Sequence, residues 1–303
     1  MQPLPVRRAA FAAAALLFAA AVASAQQLEP RAYAPSPVDM NIVGMPLLYQ
    51  FGNVVTDPSL PIQNVDAKVG AAALFYSRTF SFLGRSASAL VTIPWVWAKV
   101  SGDVGEDRRS VSRSGQGDLQ LRVASNILGG PALTPQEFAH AASRTTLGAS
   151  LSVVAPAGQY DPTKLINIGS NRWAFKPELG FVQPVGNWSF EAYAGVWLFT
   201  ANPDFVRGNR LSQDPIAAFQ AHVVYTFQPG LWLSVDGTWY SGGETDLNGA
   251  LRTERQDNTR IGATLAVPLG RNQLLKAAVA KGASVRIGQD FTTIGVTYQY
   301  HWF

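Results

Sequence analysis

The chain has 303 residues, 47% of them hydrophobic and only 15% charged, with 27 glycines, 19 prolines and no cysteine. A water-facing domain carries about a quarter charged residues, so much of this surface is expected to face something other than water. The lack of cysteine excludes a disulfide framework and a thiolate metal site, and a formal charge of +4 without a Lys/Arg cluster excludes nucleic acid as an expected partner.

In chain order, the first element reads as an export signal. Arg7 and Arg8 precede the apolar run "AAFAAAALLFAAAVA" (9–23), and Ala23-Ser24-Ala25 has the small-residue pattern of a cleavage site, predicting removal of residues 1–25. The run is short of the roughly 20 residues that a spanning helix needs. Cleavage would remove two arginines and lower the formal charge from +4 to +2. Beyond residue 26 every apolar stretch is broken within about ten residues by a charge, proline or glycine, which excludes a later transmembrane helix. An exported, weakly charged chain with 8 Trp, 9 Tyr and 16 Phe is then either a secreted all-β protein or an outer-membrane barrel.

A proline-rich lead (26–39, with Pro30, Pro35 and Pro37) is expected to be irregular and to precede one barrel domain over 40–303. From there period-two alternation dominates. Leu147, Ala149, Leu151 and Val153 oppose Thr146, Gly148, Ser150 and Ser152, and Ile261, Ala263, Leu265 and Val267 oppose Arg260, Gly262 and Thr264. The pattern predicts twelve strands, at 40–52, 65–80, 86–100, 115–128, 144–157, 172–185, 188–201, 216–228, 231–242, 256–269, 273–283 and 289–302. Long polar connections are expected at 53–64, 101–114, 158–171, 202–215 and 243–255, alternating with tight turns at "SFLGR", "VGN", "PG" and "GRN". An even strand count with long loops on one side and short turns on the other fits an antiparallel transmembrane β-barrel, all-β, with both termini on the periplasmic side. "GGPALTPQEFAHAAS" breaks the alternation. Thr134 with Glu137 three residues later and Pro135 between them predict a short periplasmic helix opened by a capping box.

In "RWAFKPELGFV", Trp173, Phe175, Leu179 and Phe181 are expected to face lipid while Arg172, Lys176 and Glu178 face the lumen. A charge on the lipid face would cost roughly 2–4 kcal/mol at the midplane. A β-sandwich or lipocalin also alternates, but its strands usually run about five or six residues, and these reach the roughly 9–11 needed to span. Trp95, Trp97, Trp188, Trp239 and Trp302 suit the two interfacial girdles. The last strand, from Ile294 to Trp302 before a terminal Phe303, resembles the aromatic-ending strand of bacterial outer-membrane barrels, which implies the outer-membrane assembly machinery and outer-membrane lipid as partners.

Little in the sequence points to catalysis. His140, His222 and His301 are far apart and lack metal-ligand spacing, so no cofactor or metal is expected and the chain is not expected to be an enzyme. A lipid hydrolase would need a serine bonded to one of these histidines on the wall. Alternation assigns to the lumen Asp118, Arg122, Lys176, Glu178, Glu191, Asp236, Arg260 and Lys276, together with Tyr193, Trp197, Trp232, Tyr240 and His222. These residues would either pair across the interior and stiffen it or line a path for a small-molecule solute. Twelve strands lie between the filled eight-stranded barrel and the open channel of sixteen or more, so the lumen could conduct or be plugged.

The segments "GDLQLRVASNILGGPALTPQEF", "SLSVVAPAGQYDPTKLINIGSNRWAFKPELG", "WSFEAYAGVWLFTANPDF" and "QDPIAAFQAHVVYTFQPGLWLSVDGTWYSGG" resemble the MetA-pathway of phenol degradation family. "GQYDP…LINIGSNRWAFKPE" is the most specific part. The resemblance implies an exported bacterial barrel that carries small molecules such as aromatic compounds, and it brings no catalytic residues with it. The expected function is an outer-membrane channel or transporter, with a structural barrel of closed lumen, or a lipid hydrolase, as the alternatives.

Overall fold

The computed structural model describes residues 28–56, 63–251 and 255–303; the expected signal peptide and its cleavage site lie outside them. In chain order the strands are β1 (Asn41–Val55), β2 (Gln63–Phe82), β3 (Arg85–Val104), β4 (Asp107–Gln116), β5 (Leu119–Leu128), β6 (Thr146–Ala155), β7 (Ala174–Val185), β8 (Trp188–Phe199), β9 (Asn202–Phe205), β10 (Asn209–Gln213), β11 (Ile216–Gln228), β12 (Leu231–Gly242), β13 (Thr245–Leu247), β14 (Ala250–Leu251), β15 (Gln256–Pro268), β16 (Gln273–Val285) and β17 (Gly288–Trp302).

Twelve of these form a closed antiparallel barrel. The ladder runs from β2 through β1, β17, β16, β15, β12, β11, β8, β7, β6 and β5 to β3, and the β2–β3 hairpin completes the ring. The first and last strands pair over their whole length, from Asn41↔Trp302 to Val55↔Gly288. Closure leaves no sheet edge, the condition for β-structure in hydrocarbon.

β4 and β5 act as two halves of one strand. β3 pairs with β5 over Ala87–Thr92 and with β4 over Trp95–Val104. Gly117 N–H donates to Pro94 O at 2.9 Å where the ladder changes partner. The long loop expected at 101–114 is therefore a hairpin extension. It escapes a hydrophobic pattern because β4 is exposed on most positions and carries hydroxyls and charges throughout. Arg108 there bonds Asp103 at 2.9 Å and also Asp66. The expected loops at 202–215 and 243–255 likewise hold β9, β10, β13 and β14, a separate four-stranded sheet. Turns at the opposite end are short, with left-handed glycines at Gly84 (φ 75°), Gly186 (φ 59°) and Gly230 (φ 81°), as two-residue hairpins require. The predicted helix forms as α1 (Pro135–Ala139), its Thr134 hydroxyl and Glu137 carboxylate making the reciprocal capping box.

Alternation is obeyed on the outer face. Met45, Leu47, Tyr49 and Phe51 on β1, Leu179 and Phe181 on β7, Leu233 and Val235 on β12, and Ile294, Val296, Tyr298 and Tyr300 on β17 are all exposed. Such a continuous apolar belt far exceeds the roughly 300–600 Å² patch of a soluble monomer, and a lipid annulus removes its cost. Trp95, Trp97, Trp173 and Trp239 point outward toward the long-loop ends, and Trp188 and Trp302 toward the short-turn ends, as two girdles.

Candidate functional site

The interior is occupied by the chain's own N-terminal segment. Residues 28–40 are irregular, as the prolines predict, but 28–33 lie inside the barrel and 36–40 along its short-turn rim, which nothing in their sequence indicates. At the short-turn rim Thr79 Oγ1 donates to Pro37 O (2.6 Å) and Ser86 Oγ to Ser36 O (2.9 Å). Deeper in, the Tyr33 ring sits on Gly148 and Gly180, a directly paired couple of inward positions on β6 and β7. A Cβ on Gly180 would lie 2.1 Å from Tyr33 Cδ2, and one on Gly148 2.5 Å from Cδ1, so only glycine admits the ring. Tyr33 Oη lies 2.7 Å from Ser150 Oγ and donates to Glu178 Oε1 at 3.0 Å, while the Arg122 guanidinium stands 5.0 Å over its ring. Further in, Ala32 N–H donates to Tyr193 Oη, Arg31 N–H to Glu191 Oε2 at 2.7 Å, and Glu29 N–H to Gln220 Oε1 at 3.1 Å.

Twelve of the thirteen lumen candidates stand on inward positions of the barrel strands, Asp118 being the exception, and most fall on one wall, from β5 to β12. Lys176 Nζ pairs with Glu178 Oε2 at 2.9 Å, and Arg122 approaches the other oxygen at 4.0 Å. Tyr193 Oη donates to Glu191 Oε2, and Ser189 Oγ to Oε1 at 3.1 Å. His222 Nδ1 bonds Asp236 Oδ1 at 2.8 Å, and Ser234 and Thr264 both donate to Oδ2 at 3.0 Å. Aspartate thus stands between histidine and serine, the wrong order for a nucleophilic triad, in which histidine lies between the two. Trp197 stacks on Phe199 with Lys176 Nζ 5.5 Å over its ring, and Tyr240 packs in the same buried cluster with Ile216 and Ala218. Arg260 lies apart, donating to Phe291 O and Thr293 Oγ1, and Lys276 lies 5.7 Å over Trp232, whose ring Arg31 also approaches. The sequence reading missed Glu29, Arg31, Tyr33, Ser150, Gln220 and the two glycines. Its only signal was a pair of glycines at inward positions of neighbouring strands.

Asp118 is at the bend between β4 and β5, where it clamps the 156–173 connection rather than lining mid-lumen. Its carboxylate accepts from Gly158 N (2.9 Å), Ser170 N (2.8 Å) and Ser170 Oγ (2.6 Å). Gly158 and Gly169 touch backbone to backbone, with a Cβ on Gly169 falling 2.7 Å from the Gly158 carbonyl carbon. This folds Ile166 and Ile168 over the mouth onto Val65, Ala67, Val69, Val96, Ala98 and Val100, the inward residues of β2 and β3, with Phe205 and Leu211 of the outer sheet. Arg172, whose guanidinium burial pulls down to about 10 against the opposing pull of Asp118, donates to Gln213 Oε1 at 2.6 Å and lies 4.5 Å over Phe199. Hydrogen bonds to a charged acceptor contribute about 1.5–3 kcal/mol each. Asp118→Ala is therefore expected to free the connection, so that a protease added to barrel-containing vesicles cleaves within 156–173 several times faster while the barrel itself stays folded.

The opposite wall is uncharged over most of its height. Across β16, β17, β1, β2 and β3 the paired inward positions include Ala278, Ala280, Gly295, Thr297, Pro46, Leu48, Ala71, Ala73 and Thr92. The hydrogen bonds of residues 28–33 go to β6, β7, β8 and β11 rather than to this wall, and the Leu28 side chain packs at its edge, beside Gly262 and Ala280. Ala278 is exposed although it faces inward, and Leu48, Ala71, Ala73, Thr92 and Thr297 keep part of their surface. The lumen is two-sided: charged and occupied on one wall, apolar or hydroxyl-lined and accessible on the other.

Among solved structures the chain is similar to an outer membrane channel from Pseudomonas putida F1, with a TM-score of 0.76 and 19% identity over 91% of this chain and 100% of that one. It is also similar to the beta domain of the Bordetella autotransporter BrkA (TM-score 0.54, 15% identity, 87% and 100% covered). A third likeness is to the transport unit of the autotransporter AIDA-I from Escherichia coli (TM-score 0.54, 8% identity, 98% and 99% covered). At these identities the likeness is one of fold, that of outer-membrane barrels. No curated protein matches the chain by sequence. A family model matches residues 50–300, from within β1 to within β17, and the chain therefore belongs to the family described as "Putative MetA-pathway of phenol degradation".

Proposed function

We propose that the chain is exported, cleaved after Ala25 and inserted into the bacterial outer membrane through its C-terminal strand, where it passes small apolar or aromatic molecules. The observation that carries this reading is the accessible, uncharged wall from β16 to β3, whose inward Ala278 remains exposed beside an otherwise filled interior. A neutral ring could move along alanine, leucine and threonine surfaces without breaking the ion pairs opposite. An ion there would lose hydration with little in return. The P. putida relative is itself an outer membrane channel, and the family's description concerns phenol degradation; both support the reading.

Flux into liposomes holding the refolded mature chain tests it, with benzyl alcohol, a sugar and small ions compared against empty liposomes. Entry of benzyl alcohol well above the empty-liposome rate, with sugar and ions near it, is the expected result. Entry of all solutes alike would mean a general pore. No excess entry would favour the second reading, a structural barrel, which has its own observation: the N-terminal segment and the folded connections fill both ends.

A further inference from the structure

We propose that the notch holding Tyr33 is a binding site for free phenols, and that a phenol entering the lumen exchanges with the Tyr33 side chain and so loosens the N-terminal segment. The proposal deepens the channel reading and rests on it for the supply of solute.

The side chain of tyrosine is itself a phenol, joined to the backbone through one carbon. Among the described residues Tyr33 bonds the wall through its hydroxyl alone, which lies 2.7 Å from Ser150 Oγ and donates to Glu178 Oε1 at 3.0 Å. Its ring sits on Gly148 and Gly180, carries the Arg122 guanidinium 5.0 Å over it and meets Tyr193 edge to face at 4.9 Å. These contacts belong to the ring and the hydroxyl, so a phenol without the backbone can make them all.

The receiving surface belongs to the barrel and consists of two directly paired couples on β6 and β7. Gly148↔Gly180 receives the ring, and Ser150↔Glu178, two residues along, receives the hydroxyl. The twelve-strand ladder closes without the segment, so this surface persists when Tyr33 leaves. Tyr33 itself rides on irregular backbone that no sheet holds. A free phenol has to compete with a tethered ring at roughly millimolar effective concentration, which weakens its apparent affinity.

The geometry also sets the selectivity. A carboxylate only accepts, so the ligand must bring a hydroxyl proton to Glu178, which an aryl ether lacks and a benzoate replaces with a repelling charge. A Cβ on Gly180 would lie 2.1 Å from Tyr33 Cδ2, so the notch has no depth for a saturated ring, whose hydrogens stand above and below its carbons.

The chain contains no cysteine, so Ala34→Cys in the mature protein gives a unique thiol beside Tyr33. The rate of maleimide labelling in detergent is compared with phenol, anisole, cyclohexanol and benzoate, each well above the effective concentration of the tethered ring. Phenol is expected to speed labelling severalfold and the other three to leave it unchanged. By calorimetry Tyr33→Ala, which removes the competitor, is expected to bind phenol at least about tenfold more tightly than the unsubstituted barrel. Adding Gly180→Ala, whose methyl group fills the notch, is expected to abolish that binding while the circular dichroism of the barrel stays unchanged. Labelling that phenol speeds no more than the other three do, binding by Tyr33→Ala no tighter than before, or binding that survives Gly180→Ala would each overturn the proposal. Labelling and calorimetry read the notch and liposome flux reads the passage. A barrel that passes benzyl alcohol but ignores phenol keeps the channel reading and loses the notch, and one that binds phenol but passes nothing does the reverse.

Discussion

Deleting residues 28–39 is expected to raise the conductance of the barrel in planar bilayers severalfold and to leave the barrel itself folded. The two halves of this expectation have separate causes. Conductance rises because the segment fills the interior from the short-turn rim, at Pro37 and Ser36, to the centre, at Glu29. Folding persists because the twelve-strand ladder closes without it, β1 pairing with β17 from Asn41 onward. The wall it leaves, with Lys176, Glu178, Glu191 and Asp236, would be rehydrated by water entering the lumen. Gly180→Ala tests the same contact with one methyl group. The new Cβ would fall 2.1 Å from Tyr33 Cδ2 on a paired strand, so the ring has to leave its notch. Tyr33 is the deepest aromatic anchor of the segment, and losing it removes the bonds to Ser150 and Glu178 together. A partial rise in conductance, with more frequent open events, is the expected outcome. Unchanged conductance in both variants would show that the 156–173 connection and the outer sheet set the resistance.

The barrel wall was legible in the sequence because lipid enforces a strict rule. Every second residue must be apolar, and the predicted strands at 216–228 and 231–242 coincide with β11 and β12. The long-loop end was not legible. β4, β9, β10, β13 and β14 outside the barrel face water on much of both sides, so no hydrophobic period marks them, and hydroxyl-rich "DRRSVSRS" reads as a loop while forming a hairpin. Alternation fixes only the face on which a side chain stands and says nothing of its partners. Which charges meet across the lumen depends on strand stagger and on the segment that enters. Asp118 shows the limit: its parity placed it inside, while the bend at Gly117 turned its carboxylate to hold Gly158 and Ser170. The plug was invisible for a related reason. A proline-rich lead signals irregular backbone, and only the Gly148↔Gly180 pair records that a ring must fit there.

Asp236→Ala is expected to be the most destabilising single substitution in the lumen, by about 3–5 kcal/mol, because a buried donor left unsatisfied costs about 1–3 kcal/mol and three donors lose their acceptor. One fully buried carboxylate serves three neighbours on three adjacent strands: His222 on β11, Ser234 on β12 and Thr264 on β15. Because a carboxylate only accepts, His222 Nδ1 carries the proton, and alanine would leave that N–H and two hydroxyls without an acceptor in a dry layer. Asp236→Asn keeps the shape and one acceptor oxygen, and its amide can donate to the histidine in the other tautomer, so roughly half the loss is expected. Urea unfolding of the reconstituted barrel, followed by tryptophan fluorescence, reads both. The size of the effect also bears on how wet the interior is. A cost near the full range means that the segment excludes water from the β11–β15 side and confines any passage to the uncharged wall opposite. A cost below about 1 kcal/mol for both variants would mean that water reaches His222 and takes the place of the lost acceptor, and the path for solutes would then include the charged wall as well.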